Sequence, residues 1–217
     1  FQNIDWVFHL AAQSRIQPSI INPPQTLKIN CYGTENVLRA SMKHKVKKII
    51  YSSSSSIYGL KNKIPHKENM ESDCLNPYAI SKSTSEDLCK MYNTLYGLQV
   101  VILRYFNVYG QRQPTKGEYA PIIGRFLKLK SKGEMLTIVG DGSQKRDYTH
   151  VVDVVNANIL AAKNKKIGNA EIINIGSGKN YSVIELINII NTKYIYVNKR
   201  KGEAYETLAD ISKARDV

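Results

Sequence analysis

Short runs of β-branched and apolar residues alternate with longer segments of helical period, and this alternation restricts the fold more than any other feature. Trp6-Val7-Phe8-His9-Leu10, residues 46–51 and residues 99–103 read as strands. Over residues 24–43, Leu27, Cys31, Thr34, Leu38 and Met42 recur near one helix face, with Val37 beside them. Residues 78–96 form a second helical pattern, closed by Gly97. Strand alternating with helix at this spacing means a parallel sheet with crossover helices. A loop rich in Lys, Asn and Pro is expected over 60–77. The second half predicts helices over 119–132 and 151–163, the latter opened by His150, and strands over 136–139, 171–175 and 194–198. Gly140-Asp141-Gly142-Ser143 reads as a turn, and Ser182 caps a further helix running to about Asn191, with capping-box spacing to Glu185.

Charge and cysteine usage narrow the function classes. No apolar run approaches the roughly 20 residues of a membrane span. Lys and Arg number 31 against 18 Asp and Glu, a formal charge of +13. Such a balance suits nucleic acid, but the basic residues are spread over 43–48, 61–67, 128–132 and 199–201, several of them at helix C-termini. No aromatic-basic RNA signature accompanies them, so an anionic small ligand is the expected partner, with no nucleic acid and no membrane. Three widely spaced cysteines, Cys31, Cys74 and Cys89, make neither a disulfide scaffold nor a zinc motif. A reducing, cytoplasmic setting and no bound metal are expected. The chain opens without Met just before a strand, so we expect it to be part of a longer polypeptide.

The chemistry-bearing residues sit at the sheet's predicted carboxyl end. Tyr78-Ala79-Ile80-Ser81-Lys82 places a phenol and an ammonium on one helix face, and Asn76-Pro77 fixes the helix entry. An ammonium near a phenol favours the phenolate, making it a usable base. The run Ser52 to Ser56 follows the strand Ile49-Ile50-Tyr51, where open α/β sheets place their ligands. His9 and His150 read as structural, since nothing nearby makes a triad or a metal site.

Ser-Ser-Ser-Ser-Ile-Tyr-Gly, then Tyr78-x-x-x-Lys82, then Arg104-Tyr105-Phe106-Asn107-Val108-Tyr109-Gly110 resembles the extended short-chain dehydrogenase/reductases. Within these the chain is most similar to NAD-dependent nucleotide-sugar epimerases of the UDP-glucose 4-epimerase type. His9-Leu10-Ala11-Ala12, Asn30-x-x-Gly33-Thr34-x-Asn36 and Gly140-Asp141-Gly142 through Arg146-Asp147-Tyr148-x-His150-Val151-x-Asp153 carry the resemblance along the chain, as do Gly202-Glu203 and Ala209 to Ala214. The resemblance implies a partial doubly wound, Rossmann-like parallel sheet with an interleaved small substrate-binding portion. Residues 1–107 would be the C-terminal part of the NAD-binding domain, its first βαβ units missing. Residues 108–217 would be mainly substrate-binding, with 143–176 returning to the sheet.

The same resemblance implies roles. Tyr78 would be the catalytic base, Lys82 would hold the nicotinamide ribose and tune Tyr78, and Ser54 would bond the reacting oxygen. Ala11, Ala12, Asn30, Ser52 and Tyr105 would line NAD. Asn107, Arg146, Arg200, Glu203 and Thr207 would meet the nucleotide sugar, Arg146 at its diphosphate. Arg146-Asp147 could equally be a surface ion pair, and Arg200 a solvated lysine-stretch neighbour. A homodimer paired through helices 25–43 and 78–96 is also implied. Ser55 and Ser56 stand where sugar-nucleotide dehydratases carry an Asp-Glu pair, which favours epimerisation over elimination or decarboxylation. Thr207 would border the substituent on carbon 2 of the sugar, its small side chain resembling members that accept N-acetylated sugars. The family's glycine-rich phosphate loop is absent, so residues 1–217 alone are expected to bind NAD poorly. The alternatives are a glucuronate epimerase, a reductase or a dehydratase of the same superfamily and, more distantly, a non-catalytic basic binding module.

Overall fold

The computed structural model describes residues 1–115, 121–198 and 204–217. Among the described residues, strands β1 (Trp6–His9), β2 (Lys48–Ser54), β3 (Val100–Tyr105), β4 (Asn107–Tyr109), β5 (Leu136–Val139), β6 (Lys145–His150), β7 (Asn169–Ile175), β8 (Asn180–Ser182) and β9 (Tyr194–Val197) are interleaved with eight α-helices. These are α1 (Ile16–Ile21), α2 (Pro23–Leu27), α3 (Gly33–Lys43), α4 (Pro77–Tyr96), α5 (Ile122–Ser131), α6 (Val151–Lys163), α7 (Val183–Ile190) and α8 (Ser212–Asp216). The architecture is α/β.

The main sheet is wholly parallel, in the order β1-β2-β3-β7. β2 is buried from end to end and β3 through Arg104, because helices cover both faces. Ile49, Tyr51, Val100 and Ile102 pack with Leu38, Cys89 and Tyr92 on the α3–α4 side. The alternate residues Ile50, Val101 and Leu103 pack with Val154, Ala161 and Ala162 of α6 on the other. Trp6 and Phe8 of β1 are exposed, and among the described residues nothing pairs with the outer edge of that strand. Two smaller sheets, β4-β6-β8 and β5-β9, follow. The latter is covered by α5 and α7 through Phe126, Leu136, Ile138, Val183 and Ile187.

Helix α4 runs as its pattern predicts. The Asn76 side chain accepts from the Ala79 N–H at 2.9 Å, Pro77 occupies the first turn, and Gly97 ends the helix at φ +66°. The Ser182–Glu185 capping box is formed. The expected single helix over 24–43 is instead three pieces. Asn22 caps α2 ahead of Pro23 and Pro24, a π-helical turn occupies Lys28–Tyr32, and α3 begins at Gly33. Burial of the polar Asn30 inside this stretch explains the break: its amide meets partners that an even helical spacing would not offer. Helix α1 was not signalled, and β2 runs on through Ser54, further than the expected 46–51. Strands β4, β6 and β8 also escaped the reading, since three-residue strands and the charged Lys145-Arg146-Asp147 carry no alternation.

Candidate functional site

The carboxyl end of β2 meets the first turns of α4. Helix α1 wedges this corner: the Tyr78 N–H donates to Ser19 Oγ at 3.1 Å, and Ser19 Oγ donates in turn to the Ile16 carbonyl at 2.6 Å. That contact pins the helix end bearing Tyr78, whose phenol is buried and within hydrogen-bonding reach of Ser54. One turn on, Lys82 is buried, donates from Nζ to the Ser52 carbonyl at 2.7 Å, and lies 5.0 Å from the Tyr51 ring centre.

Two neighbouring groups complete the wall. The Asn30 amide donates to Ser81 Oγ at 2.8 Å and to the Gln13 carbonyl at 3.1 Å, while its carbonyl accepts from the Gln13 N–H at 2.8 Å. The π-turn thus ties the segment after β1 to α4. Beyond it lies a cavity of about 440 Å³, lined by His9, Ala11, Ala12, Gln13, Ile29 and Gly33. His9 shares a 3.0 Å hydrogen bond with Thr34, and burial followed by the charge of Lys82 pushes its imidazole down to about 4. The cavity wall is therefore uncharged at neutral pH.

Burial raises the Tyr78 phenol, opposed by the neighbouring Ser54 hydroxyl and by a positive charge. That charge belongs to Arg15, the residue at the start of α1, whose guanidinium is reciprocally under the influence of Tyr78. Lys82, one turn along the same face, is engaged by a strand carbonyl, and burial pushes it down to about 8 against the pull of groups that include Glu86. Arg15 was missed because a single Arg in a polar loop gives no periodic signal.

The remaining candidates fall into two groups. Ser52 Oγ donates to the Tyr105 hydroxyl at 3.1 Å, and Asn158 of α6 donates to the same hydroxyl at 2.7 Å, so both side chains are occupied beneath the site. Asn107, Arg146 and Thr207 gather on the β4-β6 sheet. Asn107 Nδ2 lies 3.3 Å from the Asp147 carbonyl and 3.5 Å from Thr207 Oγ1. Thr207 is paired to β6 by two backbone bonds, and Arg146 donates to the Lys145 and Tyr205 carbonyls. Asp147 makes no surface pair with Arg146: it is fully buried, and its carboxylate accepts from backbone N–H groups of Ser177, Gly178 and Ala209. Arg200 and Glu203 lie outside the described residues. Among the described residues no cluster of three or more His, Cys, Asp or Glu stands ready for a metal, and no helix is long and apolar enough to cross a membrane.

Two hydroxyls close together at the end of a central strand, with the buried Lys82 and the half-buried Arg15 close by, can hold a carbinol oxygen and move its proton. The comparisons with known proteins bear on what that oxygen belongs to. Residues 1–176 match the model of the NAD dependent epimerase/dehydratase family. A putative UDP-glucose 4-epimerase of Methanocaldococcus jannaschii is 41% identical over all of this chain and 72% of its own length. A UDP-N-acetylglucosamine 4-epimerase from Methanobrevibacter ruminantium, solved with UDP-N-acetylmuramic acid, superposes with a TM-score of 0.93 at 35% identity, covering 99% of this chain and 70% of the other. A UDP-glucuronic acid 4-epimerase from Bacillus cereus, solved with UDP-glucuronic acid and NAD, superposes with a TM-score of 0.91 at 33% identity, covering 98% and 68%.

Proposed function

This chain belongs to the NAD-dependent epimerase/dehydratase family, among the nucleotide-sugar epimerases of the extended short-chain dehydrogenase/reductase type, and on that premise we propose that it inverts carbon 4 of a UDP-hexose, passing through a 4-keto sugar. The observation that carries this reading is the packing of α4, with Tyr78 buried in its first turn, against the serine-bearing end of β2, where Lys82 holds the Ser52 carbonyl. The residues present fit NAD: the cavity beside β1 is walled by the small Ala11, Ala12 and Gly33 with uncharged His9, Gln13 and Ile29, and a side chain added at Gly33 would meet nothing within 4 Å. Ala11, Ala12 and Asn30 would hold it on that side and Lys82 from α4. When bound, NAD supplies a reversible two-electron acceptor for the hydrogen of carbon 4.

The chain's own residues do the rest. Tyr78 takes the proton of the sugar hydroxyl as the carbon is oxidised and returns one to the keto oxygen as it is reduced. Ser54 donates to that oxygen and keeps it in line with the phenol. Arg146 holds the diphosphate, and Asn107 with Thr207 borders the sugar, so the pyranosyl ring turns while its anchor stays. No carboxylate stands at Ser55 or Ser56 to pull a proton from carbon 5, so the keto sugar is not carried into elimination. Incubating the protein with UDP-glucose and assaying for UDP-galactose, with no added NADH consumed, tests the reaction. Stoichiometric NADH consumption, or a released keto sugar, would replace epimerisation by one of the alternatives.

Two outcomes follow from the site's geometry. Burial keeps the Tyr78 phenol above its ordinary value, so kcat/KM should climb with pH as the phenolate is populated. A cation lowers the pKa of a nearby phenol, so Arg15→Met should move that climb to higher pH, while Arg15→Lys should leave it near the wild-type position. Arg15 is the charged group that acts on the phenol, and Tyr51 lies within its electrostatic reach. A pH profile that ignores the Arg15 substitution would remove Arg15 from the account.

The second concerns substrate choice. Thr207 is small and buried beside Asn107, which supports acceptance of both UDP-glucose and UDP-GlcNAc. Thr207→Tyr should depress kcat/KM for UDP-GlcNAc at least tenfold more than for UDP-glucose, as read by parallel assays of both sugars. Equal losses would place the selectivity elsewhere.

A further inference from the structure

Residues 78, 82 and 86 lie at four-residue intervals on α4, and each engages one of three consecutive serines of β2. Tyr78 meets Ser54, Lys82 holds the Ser52 carbonyl, and Glu86 Oε1 accepts from Ser53 Oγ at 2.5 Å. The third rung differs from the others because it is an ion pair. Arg104 donates from Nε to Glu86 Oε1 at 2.9 Å and from a terminal nitrogen to Oε2 at 2.7 Å, with both side chains no more than 3% exposed. Arg104 is the register partner of Ser53 across β2 and β3. Its other face lies 4.8 Å from the centre of the Tyr58 ring, and the Tyr58 hydroxyl donates to Asn174 of β7 at 2.6 Å. One carboxylate on α4 is thereby locked to β2 and β3 and, through Arg104 and Tyr58, to β7.

Stability alone does not account for this rung. Apolar side chains of similar volume commonly replace a buried ion pair at little or no loss of stability. What a two-pronged guanidinium–carboxylate pair adds is direction: two parallel hydrogen bonds fix distance and orientation together, whereas apolar packing tolerates sliding. Side-chain tips lie about 5–6 Å from a helix axis, so a turn of α4 by about 10° displaces them by about 1 Å. A displacement of about 1 Å in a reacting group can cost a factor of about 100 in rate. We propose that Glu86, through Arg104 and Ser53, is the positioning residue that sets the rotation and height of α4, and so aims Tyr78 at the oxygen held by Ser54; this rests on the role given to Tyr78 above.

The test compares the paired variant Glu86→Leu/Arg104→Met with Ser53→Ala, which leaves the ion pair intact, and with Tyr78→Phe, each in the intact protein loaded with NAD. For the paired variant the expected result is a kcat lowered 30- to 100-fold, with KM for the sugar nucleotide and NAD affinity within twofold of wild type and a melting temperature within a few degrees. Ser53→Ala should lose three- to tenfold in kcat with KM unchanged, and it decides the matter should the paired variant fail to fold. A second readout is independent of turnover: the ¹³Cζ resonance of Tyr78, assigned by its loss in Tyr78→Phe, should shift in both Glu86/Arg104 and Ser53 variants. A kcat that falls only in proportion to the folded fraction, or an unmoved Tyr78 resonance, overturns the positioning role. Should Tyr78→Phe be inactive and the folded Glu86/Arg104 and Ser53 variants fully active, the positioning role falls and the phenol's role stands; should Tyr78→Phe be fully active, both fall.

Discussion

Replacing Tyr78 by Phe should lower kcat by about 100- to 10,000-fold, the range general acid–base catalysis supplies, while UDP-sugar binding stays close to wild type. The substitution removes one oxygen and keeps the ring that fills the buried corner between α1, β2 and α4. The bond from the Tyr78 backbone N–H to Ser19 Oγ does not involve the side chain, so the helix end stays pinned. Ser54 keeps its own contact with Ser56, at 3.1 Å between the two hydroxyl oxygens. The loss therefore falls on proton transfer rather than on folding. Measuring kcat and the dissociation constant separately checks this, and a variant within about threefold of wild-type turnover would exclude the phenol as the acid–base group.

The largest effect on stability is expected at Asp147. Its carboxylate is fully buried and accepts four hydrogen bonds: Ser177 N–H and Oγ at 2.7 Å each, Gly178 N–H at 3.0 Å and Ala209 N–H at 3.2 Å. These donors come from the loop after β7 and from the segment leading to α8, so one side chain binds two distant stretches to β6. Gly176 belongs to the same close approach, since a Cβ there would come within 2.4 Å of the Ala209 Cβ and 2.8 Å of Asp147 Oδ2. Asp147→Ala should destabilise the fold by about 3–5 kcal/mol, because each buried donor left without an acceptor costs about 1–3 kcal/mol and water can reach only some of them. Urea denaturation reads the loss directly. Asp147 also neighbours the Thr207 backbone, so KM for the sugar nucleotide should rise with it. A destabilisation below about 1 kcal/mol would mean the loop finds other acceptors.

Particular elements show what could be read before any coordinates. Helix α4 was legible at both ends because its signals are local: a capping Asn76, Pro77 in the first turn and a left-handed Gly97. The parallel strands were legible because each is a short β-branched run, although β2 continues through serines that hydrophobicity cannot mark. The π-turn was not, since its cause is the set of partners found by Asn30, 17 residues away at Gln13 and 51 away at Ser81. The dipeptide Arg146-Asp147 misled for the same reason: adjacent opposite charges suggest a surface pair, whereas the Asp147 carboxylate is claimed by backbone groups 30 to 62 positions distant.

The sequence by itself determined the α/β order, the helix that carries Tyr78 and Lys82 on one face, and the run of motifs by which its relatives are known. Those features are written in periodicity, capping and spacing, which act over a few residues. Only the tertiary structure decided which polar group meets which: Lys82 with the Ser52 carbonyl, Asn30 with Ser81, and Glu86 with Ser53 and Arg104. A buried polar group must find a partner, and the partner is chosen by whichever strand or helix the folded chain brings alongside.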